Sequence, residues 1–232
     1  TLKQSAFIPI TAPHASPYTI VVDRNGHFAY VTDEANPSIY VIDIDPNSPT
    51  YHQFVQTIAL DPALAPVGLR GVDVSIDDKR LYVAAPNRVS VANLAAQPPN
   101  PSYVLVINID PADRPLSSSA PNLRKWRQMI GKVEGTRETY GITASPDPKK
   151  IMFTNRDSDA TGIGVITVTN DDPLQWAATA TFTQFGIGAF DDSFDVNNAQ
   201  SIAILPDASL AFVSTFNKFV QGVASSDPNT GD

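Results

Sequence analysis

Four segments of this chain repeat one pattern: a short apolar run, a tight polar turn, and a second apolar run centred on a large side chain. They read "YTIVVDRNGHFAYVTDEANPSIYVIDID" at 18–45, "GVDVSIDDKRLYVAAPN" at 71–87, "GITASPDPKKIMFTNRDSDATGIGVITVT" at 141–169 and "SIAILPDASLAFVSTFN" at 201–217. Tyr30, Tyr82, Met152 and Phe212 fall in register. An internal repeat constrains a fold more than any single residue does, because each copy must be the same supersecondary unit. Runs of β-branched and aromatic residues around Asn-Gly, Asp-Asp or Asp-Pro are hairpins. A third run follows at 39–45, 103–110 and 163–169, and a fourth at 54–60, 127–133 and 177–185. Within the third run the chain twice writes one phrase, Ile42-Asp43-Ile44-Asp45-Pro46 and Ile107-Asn108-Ile109-Asp110-Pro111.

Each copy is therefore expected to be a four-stranded antiparallel sheet. One such sheet leaves two faces uncovered, so the copies must stack. Radially stacked four-stranded sheets are the blades of a β-propeller. The expected fold is all-β and a single propeller domain, with blades at about 17–61, 68–135 and 137–188, an incomplete one at 197–232, and an outer strand alone within 1–13. The inner strands are expected at 20–23, 71–75, 141–145 and 201–205, nearest the axis. That makes about three and a half blades, against about four to eight in closed rings. The expectation is part of a larger ring, completed by the same longer polypeptide or by a second chain. The alternative is a closed four-bladed ring in which 2–11 completes the last sheet.

Charge and composition narrow the function classes. Among 232 residues the net charge is −8, which disfavours nucleic acid, since phosphate backbones select basic faces. No Cys is present, which removes disulfides, thiolate metal sites and Cys nucleophiles. No run of about 18 apolar residues suggests a membrane-spanning helix, and 1–13 lack the apolar stretch of a signal peptide, as a mature or trimmed start would. Few charged residues (17%) and an acidic balance point to an extracellular or periplasmic setting.

Tyr30-Val31-Thr32-Asp33, Met152-Phe153-Thr154-Asn155 and the turn "SPDPKK" at 145–150 resemble the YVTN-type β-propeller family, over residues 17–216. That resemblance implies the fold; such propellers serve as surface proteins, scaffolds and enzymes. "APHASPYTIVVDRNGHFAYVTD" and "FTNRDSD" are also similar to the branch that resembles 6-phosphogluconolactonase. This similarity implies a lactonase pocket near His14, Asn155 and Arg156. The chain departs from that branch at three places. Pro17-Tyr18 stand near the expected second His, Arg70-Gly71 replace an Arg-His pair, and Gly141 replaces a Glu, with Glu138 three residues earlier.

Loops joining second to third strands share a rim with the loops between blades. Longer, polar loops on a rigid scaffold are where binding resides. His14, Arg70, Arg137, Glu138 and Arg156 fall there. They either bind a protein or a small anionic or sugar-like ligand, with Arg gripping carboxylate or phosphate, or they are solvated loop charges. No cofactor is expected. Calcium is the one candidate metal, through Asp157 and Asp159 in "DSDATG" and Asp191 and Asp195 in "DDSFDVNN"; the competing reading is that these Asp side chains bond local turns. No nucleophile elbow, phosphate loop or His-Glu-x-x-His pattern occurs. "LRKWRQMIGKV" at 123–133 is either the end of an insertion entering an outer strand or a partner epitope. The leading expectation is a non-enzymatic binding or assembly module of a surface or secreted protein; the alternative is a lactone hydrolase.

Overall fold

The computed structural model describes residues 7–87, 101–117, 119–135, 138–156, 162–176, 178–183 and 199–215. The first sheet is β1 (Pro17–Val22), β2 (Phe28–Asp33), β3 (Ser38–Asp43) and β4 (Gln53–Ala59). The second is β5 (Val72–Val74), β6 (Arg80–Ala85), β7 (Tyr103–Asn108) and β8 (Met129–Glu134). The third is β9 (Thr139–Ala144), β10 (Lys150–Asn155), β11 (Gly162–Thr167) and β12 (Ala178–Thr183), and a two-stranded sheet follows, β13 (Ala199–Ile204) with β14 (Ala211–Thr215). Each is an antiparallel meander in chain order. The only helices among the described residues are two 3-10 turns, Pro111–Asp113 and Pro173–Gln175, so none is long and apolar enough to cross a membrane.

The hairpins lie where the sequence places them. Gly26, Asp78 and Ala208 occupy the same turn position in three copies, with φ of 71°, 59° and 59°. The doubled phrase also has a physical meaning. At the exit of the third strand Asp43, Asn108 and Asn170 each accept the N–H two residues on, from Asp45, Asp110 and Asp172 at 3.0, 3.0 and 2.9 Å. Those aspartates accept in turn from Asn47, Ala112 and Leu174, at 2.8, 2.9 and 3.0 Å. Proline between them fixes φ and has no N–H to leave unpaired.

Side-chain alternation sends each sheet's residues into two different cores. Leu81, Val83, Leu105 and Ile107 pack with Tyr30, Ile39, Val41 and Ile58 of the first sheet. Tyr82, Val104 and Val106 pack the opposite way, with Ile142, Ile151, Phe153, Ile166 and Trp176 of the third. The second sheet is thus a wedge buried on both faces, which is why β6 and β7 read as continuous apolar runs. On the inner side β1 lies beside β5, β5 beside β9, and β9 beside β13. The sheets therefore fan around their first strands, as propeller blades do.

Polar staples fix the fan. Thr32 Oγ1 donates to the Arg70 carbonyl at 2.7 Å, and Thr154 Oγ1, its counterpart two blades on, donates to the Gln200 carbonyl at 3.1 Å. Gly71 N donates to the Tyr140 carbonyl at 2.8 Å. Asp73 accepts from Ala144 N at 2.7 Å and Thr143 Oγ1 at 3.1 Å. The Thr near the end of the second strand in the first and third blades is thus an inter-blade tie.

The start of the chain departs from expectation. Residues 7–13 form no strand. Ile8 and Ile10 instead pack against Ala29, Val31, Tyr40 and Ile42, covering the flank of the first sheet that faces away from the second. That sheet offers them a face rather than an edge, so apolar contact replaces strand pairing.

Asp33 ends β2 fully buried. It accepts from Tyr40 Oη at 2.5 Å, Ser16 N at 2.8 Å, and Ala35 N and Asn36 N at 2.7 Å. Desolvation by itself would raise its pKa, but the Tyr40 hydroxyl and these N–H groups outweigh it and leave the pKa below the usual carboxylate range. The same balance, struck with Ser48 and Thr50, lowers Asp43. A folded pKa below the unfolded one gives stability that is complete above about pH 3.9 and lost as pH falls through the folded value. Replacing Asp33 by Ala strands its donors, and urea unfolding at pH 7 is expected to show a loss of about 3 kcal/mol. That loss should shrink as pH drops below about 4, where the wild type loses the same contribution.

Candidate ligand site at the blade axis

The column immediately before the inner-strand residues Thr19, Gly71, Gly141 and Ser201 holds Tyr18, Arg70, Tyr140 and Gln200. Because the inner strands converge, Tyr18, Arg70 and Tyr140 gather at one end of the axis. The Tyr18 and Tyr140 hydroxyls meet at 2.5 Å, joining the first and third blades above the second. Their rings stand edge to face, 6.1 Å between centroids. Arg70 rises between them, its guanidinium carbon 5.4 Å from the Tyr18 ring centre and 5.8 Å from that of Tyr140. Its Nη1 is held by the carbonyls of Leu69, Glu34 and Val67, at 2.8, 2.9 and 3.3 Å.

A second cation approaches from the end of β10. Arg156 lies 4.3 Å over the Tyr140 ring, and its Nε is 3.9 Å from Glu138 Oε1. That distance is an ion pair without a hydrogen bond, and Nε is buried with no hydrogen-bond partner. The pair is held by backbone: Arg156 N donates to the Glu138 carbonyl at 2.9 Å, and Glu138 N donates to Asn155 Oδ1 at 3.2 Å. Among the described residues, two guanidinium groups, two phenols and one carboxylate therefore share this mouth. Burial, then the hydrogen bond that Tyr18 shares with Tyr140, pushes the Tyr18 pKa up to about 12. Tyr18 keeps its proton at neutral pH.

Of the residues singled out in the sequence, Arg70, Glu138, Asn155 and Arg156 are brought together. His14 is not among their contacts. It is exposed in the turn before β1, with φ 55°, and its carbonyl accepts from Asn36 Nδ2 at 3.0 Å. Arg137, Asp157, Asp159, Asp191 and Asp195 lie outside the described residues, and among the described residues no group of three or more acidic or His side chains is placed to hold a metal ion. Sequence reasoning missed Tyr18 and Tyr140. Reading the repeat one column upstream of each inner strand would have found them.

The two glycines standing where the lactonase branch has a His and a Glu are packing residues. A Cβ on Gly141 would lie 2.3 Å from the Gln200 carbonyl oxygen and 2.9 Å from Thr154 Oγ1. One on Gly71 would lie 2.8 Å from Ile142 N and from the Tyr140 carbonyl oxygen. Both obstacles are mainly backbone of the next blade, which cannot step aside.

No family model matches the chain, and no curated protein matches it. Solved structures do. A structure assigned as a 6-phosphogluconolactonase from Bacteroides fragilis superposes with TM-score 0.52 at 16% identity over 73% of this chain and 39% of that one. Hydrazine synthase from Kuenenia stuttgartiensis gives 0.55 at 15% identity over 86% and 43%. A second structure assigned as a 6-phosphogluconolactonase, from Bacteroides uniformis, gives 0.51 at 17% over 71% and 39%. The chain thus spans about two fifths of the length of the structures it matches. These likenesses support a propeller-like all-β fold. Two unrelated activities at equal similarity leave function to the site.

Replacing Tyr140 by Phe removes the two contributions of its hydroxyl that raise Tyr18, the hydrogen bond and the charge, and leaves desolvation. In a tyrosine titration followed by ultraviolet absorbance, the Tyr18 step near pH 12 is expected to move toward the ordinary tyrosine value near 10 without reaching it, because desolvation remains. No movement would place the two hydroxyls apart.

Proposed function

We propose that this chain is a binding module, a YVTN-like propeller of a surface or secreted protein, and that its axial mouth holds a small anionic or sugar-acid ligand without transforming it. The observation that supports binding over hydrolysis is the pair Gly71 and Gly141. At both positions where an acid-base side chain would enter the mouth, the next blade's backbone fills the space of a Cβ. Among the described residues the remaining titratable groups of the mouth are engaged, Glu138 with Arg156 and Tyr18 with Tyr140. General acid-base catalysis needs a group free to exchange a proton near the operating pH. Recognition needs only the two guanidinium groups, each backed by an aromatic ring and able to grip a carboxylate or phosphate.

Calorimetric titration of the whole chain with 6-phosphogluconate and gluconate tests this reading. Saturable binding is expected, weakened at least tenfold by Arg70→Gln and by Arg156→Gln and unchanged by His14→Ala. Both Arg variants should keep the wild-type unfolding midpoint within a few tenths of a molar in urea. Hydrolysis of gluconolactone above the spontaneous rate, abolished by Arg156→Ala in a folded protein, would overturn the proposal in favour of a lactonase.

A further inference from the structure

The opposite rim carries a second concavity. The long connection from β7 to β8 leaves the sheet at Pro111 and returns at Arg127, arching over Gln56 of β4 in the neighbouring blade. Between arch and strand lies a cavity of about 730 Å³, lined by Gln56, Arg114, Pro115, Leu116 and Trp126 among others. It is separate from the axial mouth and independent of the function proposed there.

One cation, Arg114, lines its wall, and a second, Arg127, follows the lining residue Trp126. Arg114 is exposed, 5.5 Å from the Trp126 ring centre and 5.8 Å from that of Phe28, and among the described residues its side chain makes no hydrogen bond or ion pair. Arg127 is 5% exposed, clamped between the same two rings at 4.1 Å from each, and its Nε and Nη2 meet no hydrogen-bond acceptor. Only Nη1 bonds, to Gln56 Oε1 at 3.1 Å. That bond turns the Gln56 amide so that its N–H donors remain for a ligand. Burial lowers the Arg127 pKa, with the Tyr30 hydroxyl and Asp23 acting against it and Arg114 adding to it.

Nearby carboxylates make their hydrogen bonds elsewhere. Asp113 accepts from Arg124 at 3.1 Å and Asn108 at 2.9 Å, Asp43 is held by Ser48 and Thr50, and Asp23 accepts from the N–H groups of His27 and Phe28. The arch also stores strain at Lys125 and Arg127, whose φ values of 57° and 54° are unfavourable for side chains of this size. Asn122 holds that return in place through both of its amide atoms, accepting from Trp126 N at 2.7 Å and donating to the Trp126 carbonyl at 2.6 Å. Strain thus sets a buried cation beside a concavity that Arg114 lines.

We infer that this lateral cavity is a binding site for a small organic carboxylate, whose anion meets Arg114 and the Gln56 amide and whose apolar body lies along Pro115, Leu116 and the edge of Trp126. A planar guanidinium beside a proline-lined wall matches a carboxylate carried on a flat apolar group better than it matches a bare inorganic anion, which would leave the wall wet.

The test is a nitrogen-edited NMR titration of the whole chain with benzoate, and in parallel with benzyl alcohol and inorganic phosphate. Benzoate is expected to shift the Trp126 indole N–H and the Gln56 side-chain amide saturably. Arg114→Gln should weaken that binding at least tenfold while leaving the unfolding midpoint unchanged, since Arg114 is exposed. Arg156→Gln should leave it intact. Benzyl alcohol shifting the same signals with equal affinity would show an apolar dent and overturn the inference, as would an unchanged affinity in Arg114→Gln. Phosphate binding as tightly as benzoate would overturn the organic-acid assignment.

Discussion

Leu81 and Val83 leave strand β6 in one direction and Tyr82 leaves it in the other, and both directions end in a neighbouring sheet. A four-stranded sheet with two apolar faces has no stable existence alone, so this double burial makes the repeat a structure rather than a row of hairpins. Fully burying one such side chain contributes about 1.5–3 kcal/mol. The wedge between the first and third sheets concentrates many of them. Radial stacking then follows from geometry: sheets twisted and packed face to face bring their first strands together, and whatever residue precedes each first strand is delivered to the axis.

That delivery explains why the site is built as it is. Tyr18, Arg70 and Tyr140 are far apart in the chain and adjacent in space because each holds the same place in its blade. It also explains the glycines. Where inner strands crowd, the backbone of one blade occupies the volume that a side chain of the preceding blade would need, and Gly71 and Gly141 are the result. The threonine ties at Thr32 and Thr154 belong to the same constraint, each reaching a carbonyl of the next blade.

The fold was legible to the extent that it is periodic. Four hairpins, the third and fourth strands and the turn positions follow from alternation and turn chemistry, and the observed strands differ from the expected ones by a few residues at their ends. The Asx-x-Asp-Pro phrase was visible as a repeat, while its function as a nested pair of side-chain caps needed the structure. What periodicity cannot carry was misread: 7–13 are apolar enough for a strand, yet their fate depends on whether an edge or a face lies nearby. The site was half legible. Charged rim residues announce themselves, so Arg70, Glu138 and Arg156 were found. Tyr18 and Tyr140 resemble ordinary strand residues until three blades are superposed in space. His14 was prominent by residue type, and its turn keeps it away from the cluster. The stretch 123–133 was read as the end of an insertion or an epitope, and nothing in its sequence tells that Arg127 would be buried with Nε and Nη2 lacking a hydrogen-bond partner.

The account rests on the close approach of successive inner strands, and Gly141 is where that approach is tightest. Its φ is not in the left-handed region, so the Cβ of an alanine there costs energy only through contact with the Gln200 carbonyl and Thr154. Urea unfolding of Gly141→Ala is the direct measurement. A loss of about 2 kcal/mol or more is expected if the blades converge as described. A stability within about 0.5 kcal/mol of the wild type, the range of an unconstrained surface substitution, would contradict the convergence and the site built on it.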